Sequence, residues 1–194
     1  MPPKTRVTRE MIVDAAVEVA RQRGVESVNA RTVAERLHCS TQPVMYHFTT
    51  IDRLKRAAYA QVDRMHSEYL VNVPPDQDPI LGIGLNYIRF SVEEPQLFRF
   101  LFQSGYTTEN NLLDMIDSEE LAPVLAAMRE GLGMDLKKTK DVFLTVALFA
   151  HGYASIIANN GLEFDESLVA VHLERTFNGA MLAVCQEDKN EETV

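Results

Sequence analysis

Thr41, Gln42, Met45, Tyr46 and His47 fall within seven residues and place two hydroxyls, a carboxamide, an imidazole and a thioether on one side of a helical repeat, with no acid among them. Catalysis needs a nucleophile, base or metal set converging in space, and these residues offer none. They do suit a DNA major groove, where donors and small apolar groups meet base edges and a carboxylate would meet phosphate repulsion. An ordinary pair of packed helices with a polar outer face would display the same pattern, so the flanking residues have to decide.

The stretch from Val28 to Phe48, VNARTVAERLHCSTQPVMYHF, reads as two short helices with a three-residue break, each with its own start signal. Asn29 can cap the first while Val28 packs on Val33. Ser40 can cap Thr41-Gln42-Pro43 while Cys39 packs on Val44. Helices of about eight residues are marginal alone and must be held by each other and by a third. That third runs from Thr8, with Ile12, Ala15, Ala16, Val19 and Ala20 at i, i+3, i+4, i+7 and i+8, and ends at Gly24. Small Ala34 permits close approach, and Val33, Ala34, Leu37, Val44 and Phe48 make the inner faces.

With these residues in view, the first sixty positions resemble the TetR family of bacterial transcriptional regulators. The resemblance rests on Ile12, Ala15-Ala16, Gly24, Arg31-Thr32-Val33-Ala34, His38-Cys39-Ser40, Val44-Met45-Tyr46-His47-Phe48 and Asp52-Arg53-Leu54, spaced without a gap through three helices. His38 stands where the family's turn has Gly, at a position expected to be left-handed. Met45 stands where a phosphate-contacting Tyr is common, which passes that contact to Tyr46 or His47. Ile51 replaces the usual Lys at the start of the fourth helix, leaving Lys55, Arg53 or the Thr50 amide end for phosphate.

The charge of −9 over 194 residues argues against nucleic acid if taken whole. Split at Arg56, the chain has ten Lys+Arg against six Asp+Glu before the cut and nine against twenty-two after it, a basic reader on an acidic body. Cys39 and Cys185 lack metal-like spacing and read as small hydrophobes in a reduced cytoplasm. The basic, polar start of the chain does not read as a signal peptide. Residues Pro2 to Val7, with Lys4 and Arg6, are a frayed tail or an arm toward phosphates or the minor groove.

Thr50 can cap a long helix to about Val71, the natural lever between reader and body. Asn72 to Pro79, with three prolines, reads as a loop. Helices are then expected over Ile80 to Val92, from Pro95 through LFRFLF, from Ser118 to Gly131-Leu132-Gly133, over Leu136 to Leu162, and from Asp165 to about Gln186. Gly105 to Asn111 reads as a loop and Leu112 to Ile116 as a helical turn. From Val142 to Leu162 no charged residue occurs, long enough for a bilayer. Thr145, His151, Ser155, Asn159 and Asn160 are too polar for a lone span and there is no positive flank, so a helix buried by pairing with another subunit is expected instead.

The fold expected is all-α, with a helix-turn-helix DNA-binding domain over 1–50 and a helical effector-binding and dimerisation domain over 51–190. The expected DNA face is Arg31, Thr41, Gln42, Met45, Tyr46, His47, Thr50 and Lys55. The resemblance implies a homodimer through the last two helices, reading an inverted-repeat operator and released by a small-molecule effector. Phe149-Ala150-His151-Gly152 resembles a signature of one C-terminal subgroup of the family. Phe90, Phe98, Phe102, Tyr106, Met115, Met128 and His151 are candidate pocket residues, each of which could equally be plain core packing. Release would be a population shift, driven by differential affinity for two head spacings. No cofactor or metal is expected: His38, His47, His66, His151 and His172 pair with no carboxylate in a catalytic or metal spacing, and no phosphate-binding glycine loop occurs, which sets enzymes aside. A ligand-insensitive architectural DNA binder is the alternative.

Overall fold

The computed structural model describes residues 7–107, 116–117 and 121–191, with side chains through 186. Among the described residues it is all-helical, without strands: α1 (Arg9–Arg23), a 3-10 turn (Val25–Ser27), α2 (Ala30–Arg36), α3 (Thr41–His47), α4 (Ile51–Val71), α5 (Pro79–Glu93), α6 (Pro95–Gln103), α7 (Ala122–Leu132), α8 (Leu136–Asn160) and α9 (Glu166–Glu191).

Two compact units share the chain. The first takes the described residues to His66 together with Glu93–Thr107. Its helices start where short side chains satisfy free amides. Thr8 Oγ1 accepts from Met11 N at 3.3 Å at the start of α1. Asn29 Oδ1 accepts from Arg31 N and Thr32 N, while Thr32 Oγ1 accepts from Asn29 N, a reciprocal cap that a seven-residue helix needs. Ser40 occupies the cap position of α3, yet its hydroxyl makes no cap hydrogen bond, contrary to expectation. The reason is local: the third residue of α3 is Pro43, which has no N–H to give. His38 adopts φ +52, the left-handed conformation expected for the turn between α2 and α3.

The core of this unit is Ile12, Ala16, Ala20, Val33, Val44, Leu54, Ala58 and Val62, all fully buried. From α6 it takes Leu97, Phe98, Phe100 and Leu101, also buried. Thus α6 packs against α1, and the Arg21 guanidinium donates to the Glu94 carboxylate at 3.0 Å beside that contact. Gln61 of α4 donates to Asp14 of α1 at 2.7 Å. The three-helix head therefore rests on α6 as well as on α4.

The second unit comprises Ser67–Val92 and the described residues after Thr107. Pro79 proves to be the first residue of α5 rather than the last of the loop, and Asp78 Oδ1 caps it by accepting from Leu81 N at 2.9 Å. A proline in the first helical turn loses nothing, because that N–H has no intrahelical acceptor anyway. α7 begins at Ala122, with Pro123 in its first turn; Ser118 lies outside the described residues, as do most of the expected loop and turn over 105–116. α8 ends two residues earlier than Leu162, at Asn160, because Gly161 takes φ +62 and its N–H caps the Ile157 carbonyl. A core of Val124, Met128, Val142, Ala180 and Val184 joins α7, α8 and α9.

By length and composition α8 could cross a bilayer. It instead packs along α9, burying Val142, Ala150, Ala154, Ile157 and Ala158. Leu148, Ile156, Leu168, Val171 and Leu182 stay between 43 and 63% exposed on the two helices.

At Gly82 a Cβ would lie 2.3 Å from Val73 Cγ1, so the segment after α4 sits directly on the backbone of α5. Gly82→Ala should gain roughly 1 kcal/mol of helix propensity but cost about 1–3 kcal/mol in overpacking. The net expectation is a lowered urea midpoint. Adding Val73→Ala should restore part of it, with a coupling of about 1 kcal/mol in the double-mutant cycle. Additive losses would mean that the two positions do not meet.

Candidate nucleic-acid interface

α3 is held by one buried side. Val44 and Phe48 face the core, and Thr41, Gln42, Met45 and Tyr46 are exposed, Tyr46 to 78%. His47 is half-buried; its ring meets Tyr46 edge-on, and its Nε2 lies 3.3 Å from the Val7 carbonyl, which can only accept, so Nε2 carries the proton in this contact. The Arg9 guanidinium sits over the Phe48 ring at 4.9 Å, bringing a cation from α1 to the edge of α3. Five of the eight expected DNA residues therefore lie together on α3.

The other three are on neighbouring helices, with partners of their own. Arg31 is exposed on the first turn of α2, its Nε 2.9 Å from Glu35 Oε1. Thr50 caps α4, its Oγ1 accepting from Arg53 N at 3.3 Å, which leaves the hydroxyl proton to be given to another acceptor. The Lys55 side chain is only 13% exposed and reaches Glu26 at 3.8 Å. Exposed pairs of this kind contribute little and exchange readily for a phosphate, which suits Arg31 better than the covered Lys55. Arg9 was missed by reasoning over the two short helices, because its place beside Phe48 comes from the fold of α1.

Six of the seven candidate pocket residues are described, three in each unit. Phe98, Phe102 and Tyr106 belong to the first unit, Phe90, Met128 and His151 to the second, and Met115 lies outside the described residues. Phe98, Phe90 and Met128 are core. Phe102 packs on Phe98 and on His66, and Tyr106 meets Phe100 and the Arg56 guanidinium. An open groove of about 450 Å³ in the first unit, lined by Val19, Gln22, Arg23, Thr32, Glu35, Arg36 and His38, contains none of the seven.

His151 is half-buried in a hydrogen-bond chain. Tyr87 Oη lies 2.8 Å from His151 Nδ1, and Ser155 Oγ 3.2 Å from His151 Nε2. Burial lowers the His151 pKa and raises that of the Tyr87 hydroxyl, so both are neutral at pH 7. The role of Tyr87 leaves no local signal in the sequence, since its partner is 64 residues away. Among the described residues no three His, Cys, Asp or Glu side chains are grouped as metal ligands.

No family model matches the chain. The uncharacterized HTH-type transcriptional regulator YobS of Bacillus subtilis (strain 168) is 21% identical over 176 residues, 87% of this chain and 88% of that protein. A stretch of 54 residues, 28% of each chain, is 41% identical to the HTH-type nicotine-responsive transcriptional repressor HdnoR of Paenarthrobacter nicotinovorans. Among solved structures, a TetR-family transcriptional regulator from Streptomyces coelicolor aligns with a TM-score of 0.73 at 15% identity, over 95% of this chain and 85% of that one. A short helix pair on a third helix, followed by a long α4 and a helical body, is thus the fold of the TetR-family transcriptional regulators.

Proposed function

We propose that the protein is a transcriptional regulator of the TetR type, a cytoplasmic homodimeric repressor that reads an inverted-repeat operator and is released by a small-molecule effector. The observation that carries the DNA-binding part is the exposed, acid-free face of α3, fixed by a buried Val44 and a capped α2. Gln42 is the side chain on it able to make a bidentate contact to adenine, and Thr41, Met45, Tyr46 and His47 supply hydroxyl, apolar and ring contacts around it. Arg31, Thr50 and Lys55 are assigned to phosphate, with Lys55 reaching it only by leaving Glu26.

Dimerisation is assigned to α8 and α9, whose exposed Leu148, Ile156, Leu168, Val171 and Leu182 need a cover. The effector role is supported by the likeness to HdnoR, a nicotine-responsive repressor. Of the candidate pocket residues His151, polar, half-buried and already hydrogen-bonded, is the best suited to orient a ligand.

The test is selection of bound duplexes from a random pool by the purified protein and by Gln42→Ala and Tyr46→Ala. An inverted repeat should emerge, and Gln42→Ala should relax one position in each half-site at a cost of about 1–3 kcal/mol. Arg31→Ala should weaken all sequences alike and reduce the salt slope by about one. Weak, uniform binding with no motif would favour the architectural alternative, as would an operator affinity that no ligand changes.

A further inference from the structure

The end of α4 is closed by a side chain from another helix. A helix leaves its last carbonyls without intrahelical partners, and α7 and α8 solve this with Gly133 and Gly161 in left-handed conformations. α4 runs into Asn72-Val73-Pro74-Pro75 and has no such glycine. Instead, the buried Asn86 of α5 points its Nδ2 at the carbonyls of Tyr69, Leu70 and Asn72, each at 3.2 Å. Two N–H groups are shared among three acceptors.

The orientation of that carboxamide is fixed from its other end. Arg89 Nη1 donates to Asn86 Oδ1 at 3.0 Å, so the oxygen must face Arg89 and the NH2 must face α4. Arg89 in turn is gripped by Glu166 in a two-pronged pair, Nε to Oε2 at 3.1 Å and Nη2 to Oε1 at 2.5 Å. Glu166 is the first residue of α9, where the helix dipole also favours a carboxylate. One turn before Asn86 on the same side of α5 stands Gly82, where Val73 is in direct contact. Asn86, Arg89 and Glu166 therefore connect the start of α9 to the last turn of α4 in one hydrogen-bonded chain, and all of it lies within the second unit.

We infer that Asn86 is a positioning residue whose hold on α4 is set by the Arg89–Glu166 pair, making the order of the α4 terminus depend on the start of α9. Resting on the regulator reading above, this gives the assembled helices α8 and α9 a route to the helix that carries the DNA-reading head. A strained or displaced α9 start breaks the Glu166 grip, frees the Asn86 carboxamide to turn, and releases the last turn of α4. With that turn held, the two heads of a dimer keep one spacing; with it free, they tolerate several.

The experiment compares the full-length protein with Glu166→Gln, and with Asn86→Ala as a second variant, in two readouts. Amide hydrogen exchange should accelerate about tenfold in residues 69–75 of Glu166→Gln and not in α8. Unchanged exchange there, or an equal rise throughout the second unit, overturns the inference. On duplexes carrying the selected half-sites at the selected spacing or with two base pairs inserted, the parent should prefer the former about tenfold or more, and Glu166→Gln about threefold or less, with single half-site affinity unchanged. Faster exchange with an undiminished spacing preference reduces Asn86 to a cap and overturns its positioning role. If the parent binds none of the duplexes, the regulator reading fails, and the exchange result still decides whether Glu166 governs the α4 terminus.

Discussion

Glutamate at both Ile156 and Leu182 should yield a folded monomer whose affinity for a two-half-site duplex is about 10²–10⁴-fold below the parent's. The two positions are 54 and 63% exposed in the single chain, on α8 and α9 respectively, so a carboxylate there is solvated in the isolated fold and costs it little. In a two-fold assembly each position recurs on both subunits, so four carboxylates would be desolvated together at the interface. Leu148, Gly152 and Ile156 follow one another at steps of four on α8, and Leu168, Arg175 and Leu182 at steps of seven on α9, spacings at which a helix presents a continuous stripe to a partner. A Cβ at Gly152 or Gly179 would meet nothing within 4 Å, which leaves room for a partner helix to approach. The affinity loss arises because two linked heads make the second binding event intramolecular, and separate heads do not. Sedimentation equilibrium and titration of duplexes with one or two half-sites check it. Loss of the two-site advantage with little change at one site is the expected result. A parent that is already monomeric, or a variant that stays dimeric, would refute the assigned interface.

The parts of the fold legible in the sequence are those decided within four or five residues. Asn29, Thr8 and Thr50 cap the helices they precede because a short side-chain acceptor and a free amide are neighbours on the chain. Where a second local rule intervenes, the first is no guide: Pro43 removes the amide that Ser40 would have served, and Pro79 opens a helix that its ring appears in the sequence to forbid. What the sequence could not carry is the placement of α6. Nothing in LFRFLF says that its buried face belongs beside α1, since the Arg21–Glu94 pair that marks the contact joins residues 73 apart. The charge-free run from Val142 is matched by the exposed Leu148 and Ile156 of α8 among the described residues.

The exposed side of α3 was legible for a similar reason. Periodicity alone separates Val44 and Phe48 from Thr41, Gln42, Met45 and Tyr46, and burial divides them in the same way. The reach of Lys55 was not legible: its ammonium is turned to Glu26 by the 3-10 turn over Val25–Ser27, a turn with no periodic pattern to announce it. An aromatic side chain that lines a cavity and one that fills a core are the same in sequence. Phe98 and Phe90, both buried, are of the second kind.

Acid should destabilise the native protein by about 3 kcal/mol between pH 6.5 and pH 4 through one side chain, His66. His66 is 6% exposed on α4, edge-on to the Phe102 ring at 5.4 Å. Removal from water penalises its charged form and lowers its pKa from 6.5 to about 4. The unfolded chain takes up the proton near pH 6.5 and the folded one only near pH 4, so between those values the unfolded state binds more protons and stability falls as pH falls. Above pH 6.5 both states are neutral at this residue and the slope vanishes. His151, lowered by burial as well, adds a smaller slope of the same sign. Glu10 and Asp135 are lowered carboxylates, and their effect belongs to more acidic solutions. Urea midpoints at fixed protein concentration should therefore drop from pH 7 to pH 4.5 in the parent and much less in His66→Met, a swap of nearly equal volume. Parallel curves for the two proteins would mean that His66 takes up its proton in the folded state as readily as in the unfolded one. The parent curve also sets the working range for every DNA measurement above: at pH 7 and higher, changes in affinity report on the interface and not on a titrating core.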